Sequence, residues 1–339
     1  MVRVGIAGVG FMGWIHYLAY QRCQRAELAG FCSRDAGKRA GDWRGIQGNF
    51  GPPGEVIDVA GLAVFPTLEE MLSDPSIDLI DICLPPHLHT DAVTRSLQAG
   101  KWVLCEKPLA LTSAEAHRLA TASGGKLLVA HILPFFAEYK LLCDAVSDGR
   151  YGKLLGGRFK RVIGPPSWIP DFYDPARVGG PLVDLHVHDA HLMRMLLGMP
   201  HSAHTARRLY PATTPSEPVP QYIESIFHFD DPAIVASAVS GVIDQPARGF
   251  THGYDVQFEK ANVQFEMAAF GDGSVSQMAL TIAHLDGRVE RPVNDAGDAI
   301  AVFVDELEAA AQAVAGGPVH PALDALVAAD AITICEMQN

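Results

Sequence analysis

The sequence predicts an α/β protein: a doubly wound parallel sheet first, then an α+β part with a mainly antiparallel sheet. Three observations predict it. A short apolar strand runs into Gly8-x-Gly10-x-x-Gly13 and a helical stretch. Apolar strands and helices then alternate to about residue 125. Beyond that point, runs of alternating polarity are separated by hairpin-like breaks. At 339 residues the chain exceeds one compact core, since domains usually hold roughly 100–200 residues. We divide it into two domains, 1–125 and 126–339, with the C-terminal helices candidates to pack back on the first.

The opening "VRVGIAGVGFMG" followed by "WIHYLAYQRC" gives strand, turn and helix in the order that a dinucleotide site requires. One glycine makes the tight turn, one lets backbone approach a pyrophosphate, and one lets helix pack on strand. Gly8, Gly10, Phe11, Met12 and Gly13 are therefore the phosphate-cradling candidates. The second strand, "AELAGFCSRD", ends where an adenosine ribose would lie. Its tip carries Ser33 and Arg34, a hydroxyl and a guanidinium suited to a 2′-phosphate, which leans the cofactor from NAD toward NADP. Asp35, one position on, could still serve the ribose hydroxyls of NAD. Residues 41–62 are rich in glycine and proline without a clear period and read as a loop or insertion.

The next stretch parses as a short helix at 68–72, a buried strand at 79–84, a helix at about 90–99 and a strand at 102–105. Ligands of such sheets lie beyond the carboxyl ends of the strands. That gathers Leu84, Pro85 and His89 with Glu106, Lys107 and Pro108 around one crevice. An ammonium there can hydrogen-bond a substrate hydroxyl and stabilise charge developing on its oxygen. The plainer role for Lys107 is a surface pair with Glu106.

From residue 126 a strand leads into a helix, and strand-like runs follow at 153–163, 222–229, 234–242, 254–258, 263–267 and 274–280. Residues 211–220 form a proline-rich loop, and two helices close the chain. Between the first and second of these runs lies "GGPLVDLHVHDAHLMRM", residues 179–195, with three histidines and two aspartates in an apolar segment. On a helix, Asp184, His188 and His191 share an arc of about 60°. Three readings stand. The residues could bind a metal, although no fourth ligand is evident and no metal is called for. They could be capped, solvated or satisfied in the core. Or an imidazole, titrating near neutrality, could take the proton of an alcohol as its carbon loses hydride. His186 and His191 stay open among substrate contact, metal ligand and packing. Pocket-wall candidates are His131, Phe135, Trp168 and Asp171; Trp168 could stack on a sugar face.

Net charge is −13, which argues against a nucleic-acid partner, and no apolar run reaches the roughly 18 residues of a membrane span. The start lacks the pattern of a secretory leader, so the expected compartment is cytoplasmic. Six scattered cysteines form no CxxC pair, which argues against a zinc or disulfide framework.

Taken together, "GVGFMG", "DLIDICLPPHLHTDAV…LQAGKWVLCEKPLAL" and "GGPLVDLHVHDAHLMRMLLG" resemble the Gfo/Idh/MocA family of NAD(P)-dependent oxidoreductases. The tripeptide Glu106-Lys107-Pro108 is the family's most recognisable signature. The resemblance implies a Rossmann domain followed by an α/β domain with a large open sheet that carries the substrate site and often an oligomer interface. A homodimer or homotetramer is expected. It also implies oxidation of a secondary alcohol to a ketone on a sugar, cyclitol or polyol, with Asp184 touching substrate, His188 as acid/base and Lys107 as their partner. His186 stands where members commonly have glycine, and His191 where they frequently have aspartate. Two rival readings remain: an enzyme that retains its cofactor for internal redox, epimerase- or glycosidase-like, and a non-catalytic NADP-binding sensor.

Overall fold

A computed structural model describes residues 1–166, 172–210, 219–292 and 298–339. The chain divides into two compact units: Met1–Ala110 with Ala114–Phe135 and Ala296–Ala329, and Leu111–Ser113 with Phe136–Asp295 and Asp330–Asn339.

The first unit is built on six parallel strands: β1 (Val2–Ala7), β2 (Ala26–Cys32), β3 (Ala63–Phe65), β4 (Leu79–Ile82), β5 (Trp102–Glu106) and β6 (Leu127–Ala130). Their order is β3-β2-β1-β4-β5-β6. Central strands covered on both faces must be apolar almost throughout, and β4 and β5 are buried nearly end to end. Helices α1 (Phe11–Tyr20), α2 (Ala36–Arg39), α3 (Leu68–Leu72), α4 (His89–Gln98) and α5 (Ser113–Ala122) are the crossovers. Strand order reverses at β1, so the loops after β1 and β4 open a crevice at the sheet's carboxyl edge.

Residues 41–62 have little regular structure, as expected, yet they are part of the core. Trp43 is fully buried and meets Trp14, Tyr17 and Phe31 edge-on, with centroids 5.0–6.0 Å apart. Its indole N–H donates to the Lys38 carbonyl at 2.8 Å. Apolar residues without a period can fill a hollow over α1 just as well as a helix stripe.

The second unit begins with α6 (Ala137–Asp148) and β7 (Leu154–Ile163). Then come α7 (Pro175–Val178), a π-helical turn (Leu182–His186) and α8 (Val187–Leu197). Strands β8 (Ser202–Tyr210), β9 (Val219–His228), β10 (Val235–Val242), β11 (Phe250–Phe258), β12 (Ala261–Ala269), β13 (Val275–His284) and β14 (Val289–Glu290) complete it. The eight-stranded sheet runs β14-β13-β12-β11-β7-β10-β9-β8, antiparallel except for β7 beside β10. In β9, Gln221, Ile223, Ser225 and Phe227 are buried while Glu224, Ile226 and His228 are exposed, so one face is covered. Strand β8 was not expected; it is an edge strand, largely exposed, and lacks apolar alternation.

Helix α9 (Ala301–Val314) belongs to the first unit, where Phe303, Leu307, Ala310 and Ala311 pack in the core. The division between the units falls within α10 (Ala325–Glu336). Among the described residues no helix is long and apolar enough to cross a membrane.

Candidate active site

The turn after β1 has the form that a phosphate cradle needs. Gly8 holds φ at +101°, a conformation that glycine adopts without strain. A Cβ on Gly13 would collide with the Gly8 carbonyl oxygen. A Cβ on Gly10, in contrast, would meet nothing within 4 Å, and Gly10 begins α1 without a side-chain cap. The start of α1 thus has space beside Gly10 and no side-chain cap, as a phosphate site at a helix N-terminus requires. Phe11 and Met12 are half-buried on the first turn, Phe11 edge-on to Phe50 at 4.8 Å.

These contacts separate two substitutions. Gly13→Ala is expected to destabilise the first unit by about 1–3 kcal/mol, the usual cost of overpacking. Gly10→Ala should change stability by at most about 0.5 kcal/mol yet weaken dinucleotide binding about tenfold or more, ~1.4 kcal/mol per decade. Thermal melts and dinucleotide titrations of both variants check this.

At the tip of β2, Ser33 is buried and Arg34 exposed. The Asp35 carboxylate caps α2, accepting from the N–H groups of Gly37 (2.7 Å) and Lys38 (3.1 Å). Sequence reasoning missed two cations that gather here. Arg39 donates to the carbonyls of Ser33 and Arg34, both at 2.8 Å, and the Lys38 ammonium donates to the Val9 carbonyl at 2.6 Å. The signal was the capping pattern itself: with Asp35 capping, "GKR" winds back over the strand tip.

Three residues expected to touch ligands are buried. His89 is fully buried, one ring nitrogen 2.8 Å from the Pro108 carbonyl and the other 2.7 Å from that of Leu84. It braces the β4 and β5 loops, and burial lowers its proton affinity. The Glu106 carboxylate faces His16, with Oε1 3.2 Å from Nε2, while Oε2 accepts the Lys107 backbone N–H at 3.1 Å. His131 is 1% exposed at the end of β6. Leu84, Pro85 and Lys107 keep surface at the strand ends.

In the second unit, Gly179 and Gly180 both have positive φ (+80° and +70°) and turn the chain from α7 toward the π-helical turn. Sequence reading assumed an unbroken α-helix, which would put Asp184, His188 and His191 on one face. The π-helical turn spends an extra residue and shifts the phase. Asp184 and His188 remain half-buried, while Leu185, His186, Asp189 and His191 around them are buried. His186 is fully buried. It lies parallel to Phe227 at 6.5 Å, and burial drops its pKa to about 4, so it is neutral at pH 7. His191 is likewise fully buried.

Asp189 answers to Arg161 of β7, which donates to both of its carboxylate oxygens (2.9 and 3.1 Å); each side chain is under 5% exposed. Tyr139 and His252 meet beside them, with Tyr139 OH 2.6 Å from Nδ1. Burial and the Arg161 charge hold the His252 pKa down to about 3. Trp168 and Asp171 lie outside the described residues.

Two family models match the chain. One, "Oxidoreductase family, NAD-binding Rossmann fold", covers residues 2–131, and the other, "GFO/IDH/MocA C-terminal domain", covers residues 139–264. Inositol 2-dehydrogenase of Rhizobium meliloti is 26% identical over 299 residues, 87% of this chain and 82% of that protein. The 1,5-anhydro-D-fructose reductase of Ensifer adhaerens is 34% identical over 138 residues, but the match spans only 39% of this chain and 41% of that protein. Among solved structures, a levoglucosan dehydrogenase in complex with NADH and levoglucosan superposes with a TM-score of 0.76 at 20% identity. That superposition covers 99% of this chain and 95% of the other. With a Rossmann sheet, a phosphate cradle after β1 and both family models in register, the chain belongs to the Gfo/Idh/MocA family of NAD(P)-dependent oxidoreductases.

Proposed function

We propose that this protein interconverts a secondary alcohol and a ketone on a sugar, cyclitol or related polyol, with NADP preferred over NAD. The observation that supports it most is selective exposure. In a segment whose other histidines and aspartate are buried, Asp184 and His188 keep surface. Relatives named for inositol and levoglucosan favour the polyol class. Bound nicotinamide supplies the two-electron acceptor for hydride from the carbinol carbon.

His188 takes the hydroxyl proton in oxidation and returns it in reduction. Lys107 donates to the same oxygen and stabilises its negative charge. Asp184 accepts from a neighbouring hydroxyl and orients the substrate. Reduced nicotinamide formed from NADP on at least one polyol of a broad panel is the expected result. Cofactor binding without turnover on that panel would leave a sensor as the better reading.

NADP is favoured because the Asp35 carboxylate is already engaged as a helix cap, while Arg34 is exposed beside Lys38 and Arg39. A hydrogen bond to a charged group contributes about 1.5–3 kcal/mol. Arg34→Ala is therefore expected to raise the Kd of NADP about 10–100-fold and leave that of NAD nearly unchanged. Equal losses for both would point away from a 2′-phosphate contact.

A further inference from the structure

Beneath the Glu106-Lys107 turn the first unit buries more ionisable side chains than a Rossmann core needs. Helix α1 contributes His16 and Tyr20, β4 contributes Asp81 and Cys83, β5 ends in Glu106, and α9 contributes Glu306. His16, Asp81 and Glu306 have no exposed surface, and Glu106 keeps 7%. Such a set is costly unless it is paired.

The pairing is directional. Asp81 Oδ2 accepts from His16 Nδ1 at 2.8 Å and from the Tyr20 hydroxyl at 2.9 Å, while the Cys83 thiol points to Oδ1 at 3.5 Å. With Nδ1 fixed, the ring can aim Nε2 one way only; Glu106 Oε1 stands 3.2 Å from it, an ion-pair separation without hydrogen-bond alignment, so this link is one of charge. The other Glu106 oxygen holds the backbone N–H of Lys107. We propose that His16 is a positioning residue: as an imidazolium between Asp81 and Glu106, it sets the Glu106 carboxylate and through it the turn that presents Lys107. The value of that turn rests on the role given to Lys107 above.

Charge supports the same arrangement. An imidazole with a carboxylate at each nitrogen serves both only when doubly protonated. Burial works against that charge, but Asp81 and Cys83 outweigh it and hold the ring's proton affinity well above the ordinary histidine value. Among the described residues Glu306 has no hydrogen-bond partner on either oxygen, and burial together with the Glu106 charge raises its proton affinity well above that of an ordinary carboxylate. Phe303 closes the cluster from α9, 5.9 Å from the His16 ring.

His16, Asp81 and Cys83 could in principle take a metal, since their donor atoms lie within 4.8 Å of one another. The 2.8 Å between Nδ1 and Oδ2 is instead a hydrogen-bond separation. Ligands on tetrahedral zinc, with bonds of about 2.0–2.2 Å, stand roughly 3.3–3.5 Å apart.

Two substitutions split the connection. In His16→Gln the amide nitrogen occupies the place of Nε2 and still reaches Glu106; in His16→Asn it occupies that of Nδ1 and reaches Asp81 alone. With the purified full-length protein, Asn is expected to lower kcat about 10–100-fold, the usual effect of losing an orienting partner. Gln should keep it within about fivefold, and the Kd of NADP should stay within about threefold in both. Equal losses in the two variants, or a loss carried by Kd, would reduce His16 to packing. If both variants fail to fold, histidine-selective nitrogen-15 spectra of the wild-type chain decide: both ring nitrogens protonated at pH 8 supports the proposal, and a single neutral tautomer overturns it. Stoichiometric zinc in the purified protein would also overturn it. A wild-type chain inactive on every polyol would sink the role of Lys107, while the ring's protonation would still be read independently.

Discussion

Replacing His188 by alanine is expected to lower kcat by about 10²–10⁴-fold, the range that a positioned acid/base contributes. The Kd of NADP and the melting temperature should barely move, because the imidazole is half-buried and its loss opens no sealed cavity. The control lies two residues away. His186→Leu removes a neutral core ring of similar volume and should leave kcat within a few-fold, whatever it does to stability. Added imidazole should restore part of the His188→Ala rate, since a free base can enter where the side chain was. Asp184→Asn, in contrast, should act mainly on KM, because a group that orients the substrate contributes to binding before the proton moves. Near-full turnover by His188→Ala would mean that another residue takes the proton. A fall that appears only in KM would make His188 a substrate contact.

The sequence and the structure part company mainly where distant residues decide a side chain's place. The glycine turn and the Rossmann sheet were legible because strand-turn-helix spacing is set by backbone geometry, which needs no knowledge of distant residues. The roles of His89 and Glu106 were not. Whether a polar residue at a strand end faces the crevice or the core depends on partners far along the chain: for Glu106, His16 ninety residues earlier. Residues 41–62 misled in the opposite sense, since tertiary packing gave Trp43 a fixed place that periodicity could not announce. On the 179–195 segment part of the error was one of phase. The π-helical turn lies between Asp184 and His188 and shifts the one against the other, while His191, in the same regular helix as His188, is buried by tertiary packing. That turn had one visible cue, the Gly179-Gly180 pair before it. Strand β8 gave no cue, since an exposed edge strand has no buried face to alternate against.

The buried pair that anchors α8 carries the second large effect. Asp189→Ala would leave the Arg161 guanidinium, 4% exposed, without its counter-charge. Breaking such a pair costs about 3–5 kcal/mol, because the surviving charge stays desolvated. Neither neighbour replaces the charge: Tyr139 hydrogen-bonds Arg161 but as a neutral phenol, and a His252 ring with a pKa of about 3 is neutral near pH 7. A thermal melt of the variant should fall by several degrees or more. The double variant Asp189→Leu with Arg161→Met should recover much of the loss, since an apolar pair of similar volume avoids the desolvation altogether. The pair is therefore poorly explained by stability alone, and its position suggests what it does. Asp189 follows His188 directly, so a clamp from β7 onto this residue fixes both the rotation and the depth of the first turn of α8. The double variant should then melt near the wild-type temperature and still turn over more slowly. Full activity in that double variant would show that packing alone orients the helix, and that the ion pair is dispensable to catalysis.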